Sequence, residues 1–302
     1  MSSMSGSLRE PLAKLHRADY HYNRMKSELA GGEKFHIRPV LQERYRDGLE
    51  YRFRVAKIEP LDPAWPLAIG DAFFNLRTAL DYLVFQLHVR RFKGSVPDDA
   101  ARESQFPIFD QPRRDQRGRL IPLDQWSEIR RLNADVRRAI GWLQPYNQRD
   151  EHINGLRVAL SDIHRLNRLD KHRELHVVRS FVSAVPLLPF DPRYGWHDFP
   201  AFGIPLVSNA YVDRWTFEVA PPPEDMHEHP GIEETVILEQ GRNRIKVLDH
   251  LDGCIEAVER ILARFSKWFP IDSLDLVRHP ALFLPHRWHA SHDMPVGAPR
   301  RQ

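Results

Sequence analysis

Apolar side chains recur along this chain at two spacings, and each spacing predicts one kind of secondary structure. Steps of three and four residues indicate one face of an α-helix, whereas alternation indicates a half-exposed β-strand. The helical spacing occurs in residues 8–29, 66–94, 123–143, 150–172 and 248–269. Alternation or a run of β-branched residues occurs in residues 49–58, 174–185, 211–219, 235–238 and 244–247.

The order of these elements predicts the fold class. Helices and strands are segregated and do not alternate strictly, which favours an α+β fold over a doubly wound parallel sheet. We predict a helical bundle core with a smaller antiparallel sheet packed on it. Residues 1–180 would form the helical core with one N-terminal strand, and residues 181–269 a hairpin-rich region that closes with a long helix. Residues 270–302 would be a weakly ordered tail, and a single domain is the alternative.

Short polar segments predict how the elements are joined. Gly241-Arg242-Asn243, between the last two strand segments, is typical of a β-hairpin turn. Residues 95–122 are rich in proline, glycine and charge and predict a loop, in which residues 106–109 (FPIF) would anchor to the core. Asp124 is expected to cap the helix that follows.

The fourth predicted helix carries polar residues where its apolar stripe should continue. The stripe consists of Ile153, Leu156, Leu160 and Ile163. The next two positions at the same spacing are Asn167 and Asp170. Because buried polar groups cost free energy unless they are paired, this intrusion indicates a function or a specific packing role. Arg165, Arg168 and His172 share a neighbouring face.

These residue types suit metal-independent RNA cleavage, in which the 2′-hydroxyl is the nucleophile. Nearby guanidinium groups disfavour a protonated imidazole, so His172 would be a neutral general base. Arg165 or Arg168 would bind the phosphate and stabilise the charge of the transition state. The supporting residues would be Asn167, Asp170, Lys171, Asn75, Arg77 and Asp81.

The same cluster has a structural interpretation, and the sequence leaves both open. A buried network of Asn, Asp and Arg can fix how two helices pack, and a basic helix end complements the helix dipole. Arg77 and Asp81, four residues apart, would then be an ordinary surface pair. The chain would be a non-enzymatic binding or scaffold protein.

Composition limits the other classes of function. The 302 residues carry a net charge of only +3, but arginines cluster at residues 113–119, 130–138 and 165–179. These clusters suit a polyanion such as RNA, or are solvated surface. The only cysteine, Cys254, excludes an intrachain disulfide and is expected to pack in a helix, which fits the cytoplasm. No apolar run approaches the roughly 20 residues that span a bilayer, so no membrane partner is expected.

No motif for a nucleotide, metal or nucleophile site is present. The chain lacks GxxxxGK[ST], GxGxxG, HExxH, CxxC and GxSxG, and we expect no cofactor. Two histidine-containing runs lie in proline-rich segments that would not hold a rigid zinc site, so no metal is expected. They are His227-Glu228-His229, and His286, His289 and His292 with Asp293.

Four segments resemble a family of uncharacterised bacterial proteins that is common in actinobacteria. Residues 70–81 (GDAFFNLRTALD) and 166–173 (LNRLDKHR) resemble its two hallmarks, and residues 106–109 (FPIF) and 143–146 (LQPY) also match. The resemblance covers about residues 8–265 and implies no established activity.

A second resemblance is to the HEPN (higher eukaryotes and prokaryotes nucleotide-binding) superfamily of helical bundles, many of which are ribonucleases. Their active site is an Arg and a His separated by four to six residues, and Arg165 and His172 fit this spacing. The resemblance implies RNA as substrate, a toxin or defence role, and a homodimer in which two motifs meet across the interface.

Overall fold

The computed structural model describes residues 6–31, 40–55, 62–147, 154–172, 177–185, 196–198, 211–217, 219–220, 231–240 and 243–269. Its helices are α1 (Arg9–Gly31), α2 (Ala64–Arg91), α3 (Asp98–Glu103), α4 (Ala134–Trp142), α5 (Asn154–His172) and α6 (Val247–Ser266). Its strands are β1 (Val40–Tyr45), β2 (Glu50–Val55), β3 (Val177–Val185), β4 (Trp196–Asp198), β5 (Tyr211–Thr216), β6 (Gly231–Gln240) and β7 (Asn243–Lys246). The predicted α+β class with a helical core is confirmed.

Four long helices, α1, α2, α5 and α6, form the core. Both α2 and α6 contact the other three. The predicted stripe of α2 is buried along its whole length, at Ile69, Phe73, Leu76, Leu80, Leu83 and Leu87. No helix in the described residues is long and apolar enough to cross a membrane.

The first two long helices run antiparallel. The Ser7 backbone N–H donates to Gln86 Oε1 at 2.9 Å, and Lys14 lies 5.8 Å from the centroid of the Tyr82 ring. Residue numbers therefore increase along α1 in the direction in which they decrease along α2. The approach is tight just before α1, where a Cβ on Gly6 would stand 2.3 Å from the Gln86 carbonyl oxygen. A larger residue at position 6 would require this end of α1 to move.

The strands form two antiparallel sheets, in the orders β1-β2-β5-β4 and β3-β6-β7. The alternation predicted for β2 is confirmed, since Tyr51 and Phe53 are buried. Val236 and Leu238 of β6 belong to the same hydrophobic cluster as the helices, so the three-stranded sheet packs on the bundle. The predicted hairpin is also confirmed, because β6 pairs with β7 up to Gln240 and Asn243.

Elements from both sides of residue 180 share one core and one sheet. Strand β2 pairs with β5, which follows it by more than 150 residues. Helix α6 lies against α1, α2 and α5. The predicted tail, residues 270–302, lies outside the described residues.

The continuous helix predicted over residues 123–143 is wrong. Residues 123–125 form a single 3₁₀ turn, and α4 begins only after Asn133, whose extended backbone (φ −60°, ψ 149°) interrupts the helix. Asp124 therefore does not cap a long helix. The apolar residues of this stretch are nonetheless buried: Trp126, Ile129 and Leu132. Successive tight turns also repeat about every three residues, so apolar spacing cannot distinguish them from a helix.

Three short elements were not predicted. Strand β1 pairs with β2 near the N-terminus, so the prediction of one N-terminal strand is wrong. Residues 42–44 of β1 are all polar, so this strand shows no alternation of apolar and polar residues in the sequence. Among the described strands, β1 is also an edge strand that pairs only with β2. Strand β4 has three residues and α3 has six, and both lie in segments rich in proline and charge.

A buried histidine joins the last turns of α2 to the residue after α3. His88 is 1% exposed, and its Nδ1 lies 2.9 Å from Ser104 Oγ. Burial, and then the charge of Arg131, lower the pKa of His88 from 6.5 to about 4. The folded state therefore holds this imidazole neutral at pH values where the unfolded chain protonates it.

His88 should make the protein acid-sensitive. As the pH falls from 6.5 towards 4, the unfolded state binds a proton that the folded state does not, so stability is lost in this window. Urea unfolding should give a free energy of unfolding about 2 kcal/mol lower at pH 5 than at pH 7.5 from this group. His88→Gln should remove this contribution to the difference in the free energy of unfolding between the two pH values. A variant with the same pH dependence as the wild type would contradict this assignment.

Candidate functional site

The polar position at the end of the α5 stripe does face the core. Asn167 is 7% exposed, and its Oδ1 is buried with no hydrogen-bond partner among the described residues. The predicted intrusion of a polar group into the core is therefore confirmed for Asn167. Helix α5 continues to residue 172, but the side chains of Asp170, Lys171 and His172 lie outside the described region of the chain.

Arg77 and Asp81 hold the backbone of Phe106. Arg77 Nη2 donates to the Phe106 carbonyl oxygen at 2.8 Å, and Asp81 Oδ1 accepts from the Phe106 backbone N–H at 2.9 Å. The two side chains also pair, with 2.8 Å between Arg77 Nη2 and Asp81 Oδ1. The expected pairing is confirmed, but its expected surface location is wrong. Arg77 is only 8% exposed, because residues 106–109 fold back over it.

Gln144 completes the attachment of residues 106–109. It is fully buried, its Nε2 donates to the Pro107 carbonyl oxygen at 2.8 Å, and its Oε1 accepts from the Phe109 backbone N–H at 3.1 Å. Three of the four segments that carry the family resemblance, residues 70–81, 106–109 and 143–146, therefore meet through hydrogen bonds. Their common role in the described structure is to bury an irregular segment with its backbone groups satisfied.

Asn75, the other polar residue expected to support the site, bonds within its own helix. Its Nδ2 donates to the Asp71 carbonyl oxygen at 2.7 Å, and the residue is 7% exposed. No hydrogen bond joins Asn75 to Asn167 in the described structure. The expected contact between α2 and α5 is real, but these two amides do not bond each other.

A second group of polar side chains joins α5 to α6, and Arg165 belongs to it. Buried Asp162 accepts a hydrogen bond from Arg165 Nη2, and His250 Nε2 lies 3.0 Å from the other carboxylate oxygen. Burial acts to raise the pKa of Asp162, but the bonds from His250 and Arg165 outweigh it and lower the pKa below its ordinary value. Arg165, the expected phosphate ligand, is thus already paired with a carboxylate.

The neighbouring Cys254 resembles one member of a Cys–His–Asp triad but lacks its geometry. Its Sγ lies 4.0 Å from His250 Nε2, the same nitrogen that bonds Asp162. A triad needs one ring nitrogen for the nucleophile and the other for the carboxylate. Burial also raises the pKa of the Cys254 thiol far above its usual range. The cysteine therefore packs in the core, as its position in an amphipathic helix predicts.

Helix α5 also has an exposed basic face. His164 and Arg168, four residues apart, both reach solvent. The surrounding protein, and then the charges of Arg77 and Arg168, lower the pKa of His164, while Asp110 acts in the opposite direction. A neutral imidazole thus lies beside guanidinium groups, as was expected for His172. His164 was not among the predicted site residues, although its spacing of four from Arg168 places both on one helix face.

Six of the ten arginines of the basic clusters whose side chains the structure describes are paired with carboxylates. Arg113 binds Glu128 at 3.1 Å, and Arg119 binds Asp115 at 2.8 Å. No group of three metal-ligating side chains occurs among the described residues. The histidine runs at residues 227–229 and 286–292 lie outside them.

No protein-family model, curated protein or solved structure gives a significant match to this chain. The family and superfamily resemblances therefore stay predictions. The side chains and their contacts carry the functional argument.

The Arg77–Asp81 pair should contribute strongly to stability. Asp81→Ala leaves the Arg77 guanidinium buried without its counter-ion and frees the Phe106 N–H, so we expect a loss of about 3–5 kcal/mol in urea unfolding. Glu28→Ala is the matched control, because Glu28 pairs with Arg24 at the same spacing of four on an exposed face. That change should cost less than about 0.5 kcal/mol. Equal effects of the two substitutions would contradict the role of the buried pair.

Proposed function

We propose that this chain is a non-enzymatic binding or scaffold protein in which the polar cluster is a structural network. One observation carries the proposal: two of the three candidate arginines, Arg77 and Arg165, are already bonded to the protein. Arg77 bonds Asp81 and the Phe106 carbonyl, and Arg165 bonds Asp162. Either guanidinium group would have to leave its carboxylate partner before it could bind a phosphate, and for Arg77 that partner lies at a largely buried site.

The network has a physical role without any reaction. Each bonded group joins segments that are distant in sequence: Asp81 and Arg77 join α2 to residue 106, and Asp162 joins α5 to α6. Apolar contacts alone tolerate several alternative packings of similar helices, whereas a buried ion pair is satisfied in only one arrangement. The cluster would therefore specify how α5 packs on α6 and where the segment around residue 106 lies on α2.

A metal-independent, HEPN-like ribonuclease is the second candidate, favoured by the exposed face of α5. His164 and Arg168 reach solvent, and His172 follows Arg168 by a further four residues in the same helix. In this mechanism His172 removes the proton of the RNA 2′-hydroxyl. Arg168, or Arg165 released from Asp162, binds the phosphate. The superfamily resemblance adds a homodimer as the active form.

Cleavage of single-stranded RNA in the presence of EDTA separates the two candidates. The chain of 302 residues and its His172→Ala variant should both leave a labelled RNA intact at protein concentrations well above those of ordinary nuclease assays. A ribonuclease would instead lose at least about 100-fold of its rate in His172→Ala, the usual contribution of a general base. Val158→Ala, at an exposed position of α5, is the control for changes in the helix itself.

Thermal unfolding of the same variants distinguishes a loss of catalysis from a loss of folding. RNA cleavage that disappears in His172→Ala with an unchanged melting temperature, and persists in Val158→Ala, would overturn the scaffold proposal. Cleavage that is equal in all three proteins would indicate a contaminating nuclease and would leave no activity to assign to His172, as the scaffold proposal expects.

A further inference from the structure

An open pocket lies at the C-terminal end of α2, away from the polar cluster near the middle of that helix. Its volume is about 630 Å³, and four arginines line it: Arg91, Arg130, Arg131 and Arg137. Arg91 is the last residue of α2 and lies about 20 Å along the helix from Arg77, at 1.5 Å per residue. The pocket is thus separate from the residues of the proposed function.

The charges around this pocket are only half neutralised. Arg130 Nη2 lies 3.2 Å from a Glu103 carboxylate oxygen, and Arg131 pairs with Asp99. Arg137 bonds only the backbone carbonyls of residues 130 and 132 in the described structure. Arg91 has no ion pair among the described residues. Four guanidinium groups against two carboxylates leave about two positive charges in excess.

Two further features of the lining favour a compact anion. Asn133 and Ala134 place the start of α4 at the pocket, and the Asn133 side chain makes no capping hydrogen bond. The first backbone N–H groups of α4 therefore receive no hydrogen bond from the Asn133 side chain and add positive potential at the pocket, while the carboxylate in this first turn, Asp135, pairs with Arg138. Phe92 also lines the pocket, and its ring stacks on His88 with 6.3 Å between the centroids. This half-buried ring offers an apolar surface beside the arginines.

We propose that this pocket binds the terminal phosphate of a small phosphate monoester. Guanidinium groups bind phosphate oxygens through paired, charge-assisted hydrogen bonds. A monoester carries a charge of about −1.5 to −2 at pH 7, which matches the excess at the pocket. A phosphodiester of an RNA backbone carries one negative charge, which compensates only part of the excess positive charge at the pocket. The inference goes beyond the proposed function and holds whether or not RNA is cleaved.

Titration calorimetry with phenyl phosphate tests the site, since the probe combines a phosphate monoester with a flat ring. The unmodified chain should bind it, and Arg91→Gln should raise the Kd at least about tenfold, as expected for a lost charge-assisted hydrogen bond. Arg90→Gln is the matched control. It makes the same charge change at the neighbouring position, which does not line the pocket, and should change the Kd less than about twofold.

A second variant should strengthen binding. Asp99→Asn removes the carboxylate that pairs with Arg131, so the positive excess rises and the Kd should fall at least about threefold. Asp99 is exposed, and an asparagine oxygen can still accept the hydrogen bond from the Ala100 backbone N–H. A purely structural role for these arginines would not produce tighter binding in this variant.

Three results would overturn the proposal. The wild type could fail to bind phenyl phosphate at millimolar concentrations. Arg90→Gln could weaken binding as much as Arg91→Gln, which would indicate general electrostatic attraction. An RNA oligonucleotide without terminal phosphates could bind as tightly as the monoester and lose affinity equally in Arg91→Gln, which would assign the pocket to a nucleic-acid backbone.

Discussion

The packing of the helical core depends on the hydrogen bonds of one irregular segment. Residues 106–109 lie against α2 without forming a helix or a strand, so their backbone groups need partners from side chains. Asp81 and Arg77 supply them at Phe106, and Gln144 supplies them at Pro107 and Phe109. Each buried backbone group left unpaired would cost about 1–3 kcal/mol. The apolar side chains of this segment can join the core only because these three residues satisfy its backbone.

Ion pairing decides where the chain is electropositive. The sequence concentrates arginines at residues 113–119, 130–138 and 165–179, yet many of those described face a carboxylate. A paired guanidinium contributes little field at a distance, because the opposite charge lies within 4 Å. Part of the unpaired positive charge therefore lies at the pocket between α2 and α4, where Arg91 and Arg137 have no carboxylate partner among the described residues.

The polar cluster of the sequence divides into three groups with different roles. Arg77 and Asp81 hold residue 106, and Asp162 joins Arg165 to His250 on another helix. The face with His164 and Arg168 is open to solvent. Two of the three groups thus serve packing, which favours a binding or scaffold protein, and the third keeps the ribonuclease hypothesis testable.

The sequence by itself determined the long helices, the hairpin and the burial of Asn167, because apolar periodicity and turn residues act over a few neighbouring positions. It could not determine the partners of the polar groups. Arg77 and Phe106 are 29 residues apart, and local patterns carry no information about contacts at that separation. The same limit explains the failure over residues 123–143, where tight turns bury the same residues as a helix would. Only the tertiary structure decided that Arg77 is buried, that Arg165 is already paired, and that Arg91 and Arg137 meet at one pocket at the C-terminal end of α2.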